Sequence, residues 1–302
     1  MADERRQPHT DAVLRRSLLF VPGDSRRKLE KATTLPADSI ALDLEDAVAP
    51  EHKVTARQTV REALQTLHFG KRERLVRLNA WRTGLLAEDV RETLPARPDG
   101  YIIPKVSSAD ELAAAWGVIR EYAQGVGIDL SEIAVLVLIE TARGVLNLPA
   151  IAAFGSPLQA LIFGADDLAA DVGMIRTPSN LEVLYPRAAV ALTAAAYGLQ
   201  AIDLVFPRLD DPEALAAECQ FGRQLGYTGK MVIHPSQIEI VNRAFSPSDE
   251  EIAQALRIVQ AAAAHPAGAF ALDGRMVDEP IVKQAQGVLA RARAAGLLTE
   301  SA

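Results

Sequence analysis

Short apolar runs alternate with longer amphipathic stretches along most of the chain. Eight runs of four to six residues are bounded by polar or turn-forming residues, and each predicts a strand buried on both faces. These runs are Ser17–Val21, Ser39–Leu44, Arg74–Leu78, Gly100–Pro104, Ala134–Ile139, Ala160–Phe163, Ala201–Phe206 and Lys230–Ile233. The stretches between them carry apolar residues at helical spacing, as at Val60, Ala63, Leu64 and Leu67. Strands that alternate with helices predict parallel pairing through βαβ units.

Eight such units over roughly 230 residues predict an α/β protein with a (β/α)8 barrel, the TIM barrel, rather than an open sheet. No Gly-x-Gly-x-x-Gly sequence follows the first run, so a dinucleotide-binding fold has no support. We expect residues 1–12 to form a flexible N-terminal tail and residues 13–246 to form the catalytic barrel.

The pattern changes after Pro247. Ser248 and Glu251 have the spacing of a capping box ahead of a helical stripe. Two short extended pieces then flank Asp273-Gly274, which predicts a hairpin, and a last helix follows. We therefore expect residues 247–302 to form a C-terminal helix–hairpin–helix extension that acts as a lid, an oligomer contact or both.

Composition narrows the class of protein. The chain has 302 residues, of which 49% are hydrophobic, and its net charge of −7 argues against a general nucleic-acid binder. The single cysteine, Cys219, excludes an intrachain disulfide and is more typical of a buried helix residue than of a catalytic thiol. No apolar run approaches the roughly 18 residues of a membrane helix, and Met1–Asp11 lacks the apolar segment of a signal peptide. We expect a cytoplasmic protein without nucleic-acid or membrane partners.

Polar residues stand at the carboxyl ends of most predicted strands. In a (β/α)8 barrel these ends form one rim, and the active site lies on it. The rim residues are Asp24, Asp43, Glu45, Asp46, Arg77, Asn79, Lys105, Glu140, Asp166, Asp167 and His234. So many charges in a buried setting must pair with one another or bind a metal. The pattern therefore predicts a site for a hard divalent cation and an anionic ligand.

Glu140 and the pair Asp166 and Asp167 follow neighbouring predicted strands, so their carboxylates can share one ion. Two carboxylates with the other positions open to water and substrate are typical of Mg²⁺, and the absence of a His/Cys ligand set disfavours zinc. The alternative for Glu140 is an ion pair with Arg77 or Arg143. We expect one of the two aspartates to cap the following helix and the other to point inward.

Arg77 lies inside an apolar strand, where its planar guanidinium needs an anion. That anion is either a substrate carboxylate or, structurally, Glu45. Lys105 follows a proline at a strand end and is either a Schiff-base lysine or, more commonly, an ion-pair partner. His234 precedes a proline and is more typical of a hydrogen-bonded structural residue than of a base. No Gly-x-Ser-x-Gly sequence supports a serine hydrolase.

In order along the chain, eight segments resemble the citrate lyase β-chain-like and malyl-CoA lyase-like family of Mg²⁺-dependent aldolases. The segments are Arg16–Gly23, Leu42–Val48, Val76–Asn79, Ile103–Lys105, Leu138–Gly144, Phe163–Leu168, Ile233–Ile238 and Gly274–Asp278. The resemblance covers nearly the whole chain and implies a (β/α)8 barrel assembled as a homotrimer or hexamer. It also implies a carbon–carbon lyase that converts a short 3-hydroxyacyl-CoA, such as malyl-CoA, citramalyl-CoA or citryl-CoA, to an acyl-CoA or acid and an oxo acid.

The resemblance implies roles for individual residues as well. Glu140 and Asp167 match the metal ligands, and Glu140 also counts among the catalytic and substrate-binding residues. Arg77 matches the residue that holds the substrate carboxylate or oxyanion. Asp278 matches a catalytic acidic residue that related lyases supply from a neighbouring subunit, although the N-cap of the last helix is its alternative role.

Two basic residues complete the expected substrate contacts. Arg16 lies in a matching segment, and Lys28 belongs to a basic cluster in the first helix, Asp24–Lys31, that suits the phosphates of CoA. A solvated helix face is the alternative for this cluster. The acidic residues expected to orient Arg77 and to bind metal-bound water are Asp43, Glu45 and Asp46.

The same resemblance leaves two other functions open. One is an acyl-CoA thioesterase acting on the same class of ligand, and the other is a non-catalytic subunit of a lyase complex. The presence of Arg77, Glu140 and Asp167 together favours an active enzyme over a silent subunit.

Overall fold

The computed structural model describes residues 13–265 and 268–298. The predicted N-terminal tail, residues 1–12, lies outside this range. The chain divides into two compact units, one spanning Arg15–Asn242 and one that contains the residues from Arg243 onward. Within the described ranges, no helix is both long enough and apolar enough to cross a membrane.

The first unit contains a closed barrel of eight parallel strands, paired in chain order. The strands are β1 Ser17–Pro22, β2 Ser39–Asp43, β3 Glu73–Arg77, β4 Gly100–Ile103, β5 Ala134–Ile139, β6 Leu158–Phe163, β7 Gln200–Asp203 and β8 Gly229–Val232. The helices along this part of the chain are α1 Arg26–Ala32, α2 Lys53–Thr66, α3 Leu86–Thr93, α4 Ala109–Val126, α5 Ala142–Leu146, α6 Leu148–Ala152, α7 Ala165–Val172, α8 Leu184–Ala196, α9 Pro212–Leu225 and α10 Ile238–Ala244. The predicted (β/α)8 barrel is confirmed.

The strands read as continuous apolar runs because both of their faces are buried. Every residue of β2 and β5 is buried. One core cluster draws residues from all eight strands, among them Leu18, Ala41, Leu75, Ile102, Leu136, Ile162, Ile202 and Met231. Side chains rather than a channel therefore fill the barrel, and chemistry is confined to its rim.

Strand register decides which polar residues become neighbours at this rim. Asp43 at the end of β2 is the ladder partner of Arg77 at the end of β3. Ile139 at the end of β5 is the partner of Phe163 at the end of β6. Glu140 and Gly164, the residues that follow this second pair, consequently leave the barrel side by side.

The second unit contains the elements predicted for the C-terminal extension. They are α11 Asp249–Ala264, β9 Phe270–Leu272, β10 Arg275–Val277 and α12 Glu279–Ala294. Ser248 and Glu251 form a complete capping box before α11. Asp273 and Gly274 turn the antiparallel hairpin with φ of 51° and 75°, as a two-residue turn with both central residues left-handed requires. The role of this unit as a lid or an oligomer contact stays a prediction.

Candidate active site

Arg77 is held by two carboxylates at the exit of β2. Its Nε and Nη2 donate hydrogen bonds to Oδ1 and Oδ2 of Asp43 at 2.7 and 2.6 Å. Its Nη1 lies 3.1 Å from Oε2 of Glu45. The Phe20 ring lies beneath the guanidinium, with 4.9 Å between Cζ and the ring centroid. The pairing with Glu45 is therefore present, but Asp43 is the closer partner and meets the guanidinium at two points.

This arrangement keeps Arg77 charged although it is largely buried. Burial alone would lower the pKa of Arg77, but the hydrogen bonds and charge of Asp43, with the charge of Glu45, raise it above the usual arginine value. The Arg77 side chain is 11% exposed to solvent. A permanent positive charge is thus fixed at the rim, with part of its surface open.

Glu140 follows β5 and is only 2% exposed. Its Oε1 accepts a hydrogen bond from the backbone N–H of Lys105 at 2.9 Å. No Arg or Lys in the described part of the chain lies within 4.0 Å of the Glu140 carboxylate, so the predicted alternative pairing with Arg77 or Arg143 is not formed. Burial raises the pKa of Glu140 well above the usual glutamate range, and the charges of Glu45 and Asp167 raise it further. A nearby cation would offset the free energy that it costs to keep the buried Glu140 carboxylate charged.

Gly164 permits the close packing of Glu140 against β6. Its backbone N–H donates to the carbonyl of Ile139 at 3.0 Å. A Cβ at Gly164 would lie 2.6 Å from both Cβ and Oε2 of Glu140, closer than real Cβ contacts allow. Only glycine leaves the observed Glu140 position free. This role of Gly164 was not predicted from the sequence, although a glycine between an apolar strand and an Asp-Asp pair was a usable signal.

Asp166 and Asp167 lie within the first turn of α7. The helix N-cap is Gly164, and no side chain caps the helix. The prediction that one aspartate caps α7 is therefore wrong, because the helix begins at Ala165, before either of them. Asp166 pairs with Arg176 at 2.8 Å, whereas Asp167 Oδ1 lies 3.6 Å from Lys105 Nζ. Asp167 is thus the aspartate that lies near Lys105, and its charge raises the pKa of Glu140.

Lys105 is an ion-pair partner, as the commoner of its two interpretations predicts. Its Nζ lies 2.9 Å from Glu45 Oε1 and 3.0 Å from Asp46 Oδ2. Burial opposes its charge, but the hydrogen bonds and charges of Glu45 and Asp46 raise its pKa above the usual lysine value. A lysine that stays protonated is a poor nucleophile, which disfavours a Schiff base. Asp46, expected beside Arg77, contacts Lys105 instead.

Glu45 lies between the two cations and is 4% exposed. Burial raises the pKa of Glu45 to about 7, a shift that Arg77 opposes and Asp46 reinforces. Lys53 steadies the turn around it by donating to the carbonyls of Leu44 and Glu45, both at 2.7 Å. Glu45 therefore links the Arg77 side of the rim to the Lys105 side.

A pocket of about 450 Å³ borders this cluster. It is within the size range of small-molecule sites. Its lining includes Glu45, Asp46, Pro50, Lys53, Val54, Arg57, Asn79, Ala80, Thr83, Leu85, Glu88 and Lys105. Glu45, Asp46 and Lys105 thus border space in which a small ligand can lie, whereas Arg77, Glu140 and Asp167 are not among the lining residues.

Glu140 and Asp167 are the carboxylates best placed to hold a cation. No hydrogen bond from the described residues reaches Glu140 Oε2, and the Asp167 side chain is 44% exposed. Within residues 13–265 and 268–298, no set of three or more His, Cys, Asp or Glu side chains is arranged to hold a metal. Water and ligand would therefore complete the coordination, which is how proteins usually bind Mg²⁺.

Two predicted substrate contacts lie outside this cluster. Arg16 precedes β1 and binds Asp38 through Nε and Nη2, both at 2.8 Å. It stands at the end of β1 opposite the rim, so its position contradicts the predicted contact with a ligand there. Lys28 is exposed on α1, which follows β1 at the rim, and its contact with CoA stays a prediction.

Three further residues take structural positions. Asp278 is the N-cap of α12 and accepts a hydrogen bond from Ile281 N–H at 3.4 Å, while its role in a neighbouring subunit stays a prediction. His234 caps a short turn through Ser236 and is hydrogen-bonded as predicted. Cys219 is fully buried in α9, and burial raises the pKa of its thiol to about 11, which confirms a structural cysteine.

Comparison with known proteins identifies the family. Residues 16–235 match the family described as HpcH/HpaI aldolase/citrate lyase. The (3S)-malyl-CoA thioesterase of Cereibacter sphaeroides is 38% identical over 282 residues, covering 92% of this chain and 95% of that protein. The mitochondrial citramalyl-CoA lyase of Homo sapiens is 35% identical over 294 residues, covering 93% and 86%.

A solved structure shows the same architecture with ligands. Protein CitE from Mycobacterium tuberculosis, in complex with magnesium, acetoacetate and coenzyme A, superposes with a TM-score of 0.75 at 32% identity, covering 93% of this chain and 98% of that one. Family match, relatives and barrel agree. This chain belongs to the HpcH/HpaI aldolase/citrate lyase family.

Proposed function

We propose that the chain is a Mg²⁺-dependent carbon–carbon lyase that cleaves a short 3-hydroxyacyl-CoA into an acyl-CoA and an oxo acid. The observation that carries this proposal is the meeting, on one rim, of a fixed cation at Arg77 with the buried carboxylate of Glu140 and its neighbour Asp167. The Arg77 guanidinium suits an anionic acid as its ligand, and the carboxylates of Glu140 and Asp167 suit a hard divalent metal ion. The ligands of the CitE complex and the name of the human relative support the same chemistry.

The metal would be held by Glu140 and Asp167. When bound there, Mg²⁺ supplies a Lewis acid toward the carbonyl oxygen of the oxo acid. Arg77 binds the acid carboxylate or the developing oxyanion, and its geometry is preset by Asp43. Because this guanidinium is already in place, little reorganisation is needed when charge develops.

Bond cleavage also requires two proton movements. The β-hydroxyl passes its proton to solvent water as the carbon–carbon bond breaks, the oxygen forms the carbonyl of the oxo acid, and the electrons of the broken bond pass to the α carbon of the acyl-CoA. That carbon must then receive a proton. We assign this proton to Asp278 of a neighbouring subunit, on the resemblance of the Gly274–Asp278 segment to lyases that use such a residue, and we therefore expect a homo-oligomer.

A thioesterase is the second candidate, because the relative with 38% identity is named (3S)-malyl-CoA thioesterase. In that reaction water attacks the thioester carbonyl and CoA leaves, so the carbon–carbon bond stays intact. The groups at the rim can serve either outcome, since Arg77 would hold the distal carboxylate in both.

One experiment separates these functions. The purified protein is incubated with Mg²⁺ and, in turn, with malyl-CoA, citramalyl-CoA and citryl-CoA, and products are identified by mass spectrometry. A lyase gives acetyl-CoA with glyoxylate, pyruvate or oxaloacetate. A thioesterase gives free CoA with malate, citramalate or citrate, and a silent subunit gives neither.

Two controls connect the activity to the site. Addition of EDTA and the Glu140→Gln substitution should each abolish turnover, because both remove the metal from the rim. The Arg97→Gly variant, altered at the opposite end of β4, should keep it. Full turnover in EDTA, or in the Glu140→Gln variant, would refute the proposed mechanism.

A further inference from the structure

Lys105 has an unusual backbone conformation at the rim. Its φ is 55°, in the left-handed region that residues with a side chain seldom adopt. In this conformation its N–H points to Glu140 Oε1, at 2.9 Å. The backbone of Lys105 thus positions the carboxylate that the proposed function assigns to the metal.

The side chain of Lys105 makes a second set of contacts. Its Nζ lies 2.9 Å from Glu45, 3.0 Å from Asp46 and 3.6 Å from Asp167. Glu45 in turn contacts Arg77 at 3.1 Å. One ammonium is therefore shared between Glu45, which contacts Arg77, and Asp167, which is assigned to the metal.

We propose that Lys105 is a positioning residue that sets the Mg²⁺ affinity of the site and couples it to the placement of Arg77. This inference rests on the proposed function for the identity of the ion. The ammonium neutralises the acidic cluster in the metal-free protein and competes with the ion for Asp167. It also holds Glu45, and through it Arg77, in the position that receives the acid.

The two roles predict opposite effects when the ammonium is removed. A cation a few ångströms from a bound Mg²⁺ repels it, so a protein without the Lys105 ammonium should bind Mg²⁺ more tightly. Glu45 would lose one of its two cations, so Arg77 would be held less firmly. Substrate binding should consequently weaken while metal binding strengthens.

Lys105→Gly is the variant that tests this. Glycine adopts the left-handed conformation readily and keeps the N–H that holds Glu140, so only the side chain is lost. Arg97→Gly is the matched control, because Arg97 has a φ of 53° and precedes the strand that Lys105 follows. Among the described residues, its side chain makes only an exposed pair with Glu132 at 3.5 Å. Lys105→Arg retains the charge and should restore wild-type behaviour.

The measurements are Mg²⁺ titration of the metal-free protein by calorimetry, thermal unfolding with and without Mg²⁺, and the KM and kcat of the reaction. For Lys105→Gly we expect a Mg²⁺ Kd about 3- to 10-fold lower than wild type. We expect a larger thermal shift on adding Mg²⁺, and a KM raised roughly tenfold with a smaller change in kcat. Arg97→Gly should leave the Mg²⁺ Kd and KM unchanged.

A folded Lys105→Gly protein whose Mg²⁺ affinity equals or falls below that of wild type would overturn the inference. So would a KM that does not change. The Mg²⁺ titration and the unfolding shift need no substrate. A protein that binds Mg²⁺ in this pattern but turns over none of the three thioesters would therefore refute the lyase proposal and leave the effect of Lys105 on Mg²⁺ affinity intact.

Discussion

Asp43 and Arg77 face each other across neighbouring strands and are joined by two hydrogen bonds, of 2.7 and 2.6 Å. Asp43 is fully buried, so water does not compete for this pair. The residues are direct partners in the ladder between β2 and β3. Barrel formation itself therefore places the guanidinium, before any ligand arrives.

Asp43→Asn should impair both stability and activity. The substitution leaves the buried Arg77 without its main counter-charge, which we expect to lower the free energy of unfolding by about 3 kcal/mol. We also expect kcat/KM to fall by roughly tenfold or more, because Arg77 loses its fixed orientation. Denaturant unfolding and steady-state kinetics measure the two effects.

Asp38→Asn is the matched control for this change. It removes one carboxylate charge from the Arg16–Asp38 pair, which lies before β1 and β2 rather than at the rim. This variant should lose stability but keep its kcat/KM. Equal losses of kcat/KM in the two variants would show that the position of Arg77 does not matter.

Gly164→Ala should weaken metal binding. The added methyl group would lie 2.6 Å from Glu140 Oε2, so the carboxylate must move. We expect the Mg²⁺ Kd to rise about tenfold or more, as measured by calorimetric titration. Gly117→Ala in α4 serves as the control, since no described atom outside the adjacent backbone of α4 lies within 4 Å of the added group, and the helix should gain up to about 1 kcal/mol. Unchanged Mg²⁺ affinity in Gly164→Ala would refute the assignment of Glu140.

The metal-free protein should lose stability as the pH rises toward neutrality. Glu45 has a pKa of about 7 in the folded chain against 4.5 when unperturbed, so the folded state favours the protonated form. Its contribution is complete below pH 4.5 and disappears as the pH rises through 7, and it amounts to at most about 3 kcal/mol. Burial shifts the pKa of Glu140 in the same direction, which adds to the loss.

Glu45→Gln isolates the first of these two groups. Glutamine does not titrate, so urea unfolding between pH 5 and pH 8 should show a flatter stability profile for the variant than for wild type. A constant offset between the two profiles would report only the lost ion pairs with Arg77 and Lys105. Parallel profiles would therefore contradict the raised pKa of Glu45.

Asp278 and Glu140 should complement each other between subunits. The variants Asp278→Asn and Glu140→Gln should each be inactive under the proposed mechanism. Co-refolded mixtures should recover part of the activity, because some sites combine an intact Glu140 with an intact Asp278 from another copy. Mixtures as inactive as the parent variants would contradict a shared site, and light scattering on the same samples reports the oligomeric state.

The barrel was predictable because its strands are buried on both faces and so appear as unbroken apolar runs. β5 was predicted to the residue, from Ala134 to Ile139. β7 was predicted to reach Phe206 but ends at Asp203. Backbone pairing with β8 ends at Asp203, but the next residues, Leu204 and Phe206, are buried apolar residues of a loop. The apolar run in the sequence is therefore longer than the hydrogen-bonded strand.

The site was predictable at the level of the rim but not of individual contacts. Strand ends placed Arg77, Glu140 and Asp167 in one region, and the structure brings them together. The choice of Asp43 as the closest partner of Arg77 depends on register between strands, with 34 residues separating the two in the chain. Arg16 was misplaced because a motif match does not reveal which end of a strand bears the ligand.

The rim is assembled from two separate sectors of the barrel. β2 and β3 supply the guanidinium and its carboxylates, whereas β5 and β6 supply Glu140 and Asp167. Neither pair of strands supplies residues to the other sector, and Lys105, which follows β4, contacts both. Sequence change in β2 and β3 can therefore retune which acid is accepted while the two carboxylates assigned to the ion are inherited unaltered, which gives this scaffold a route to new substrates in small evolutionary steps.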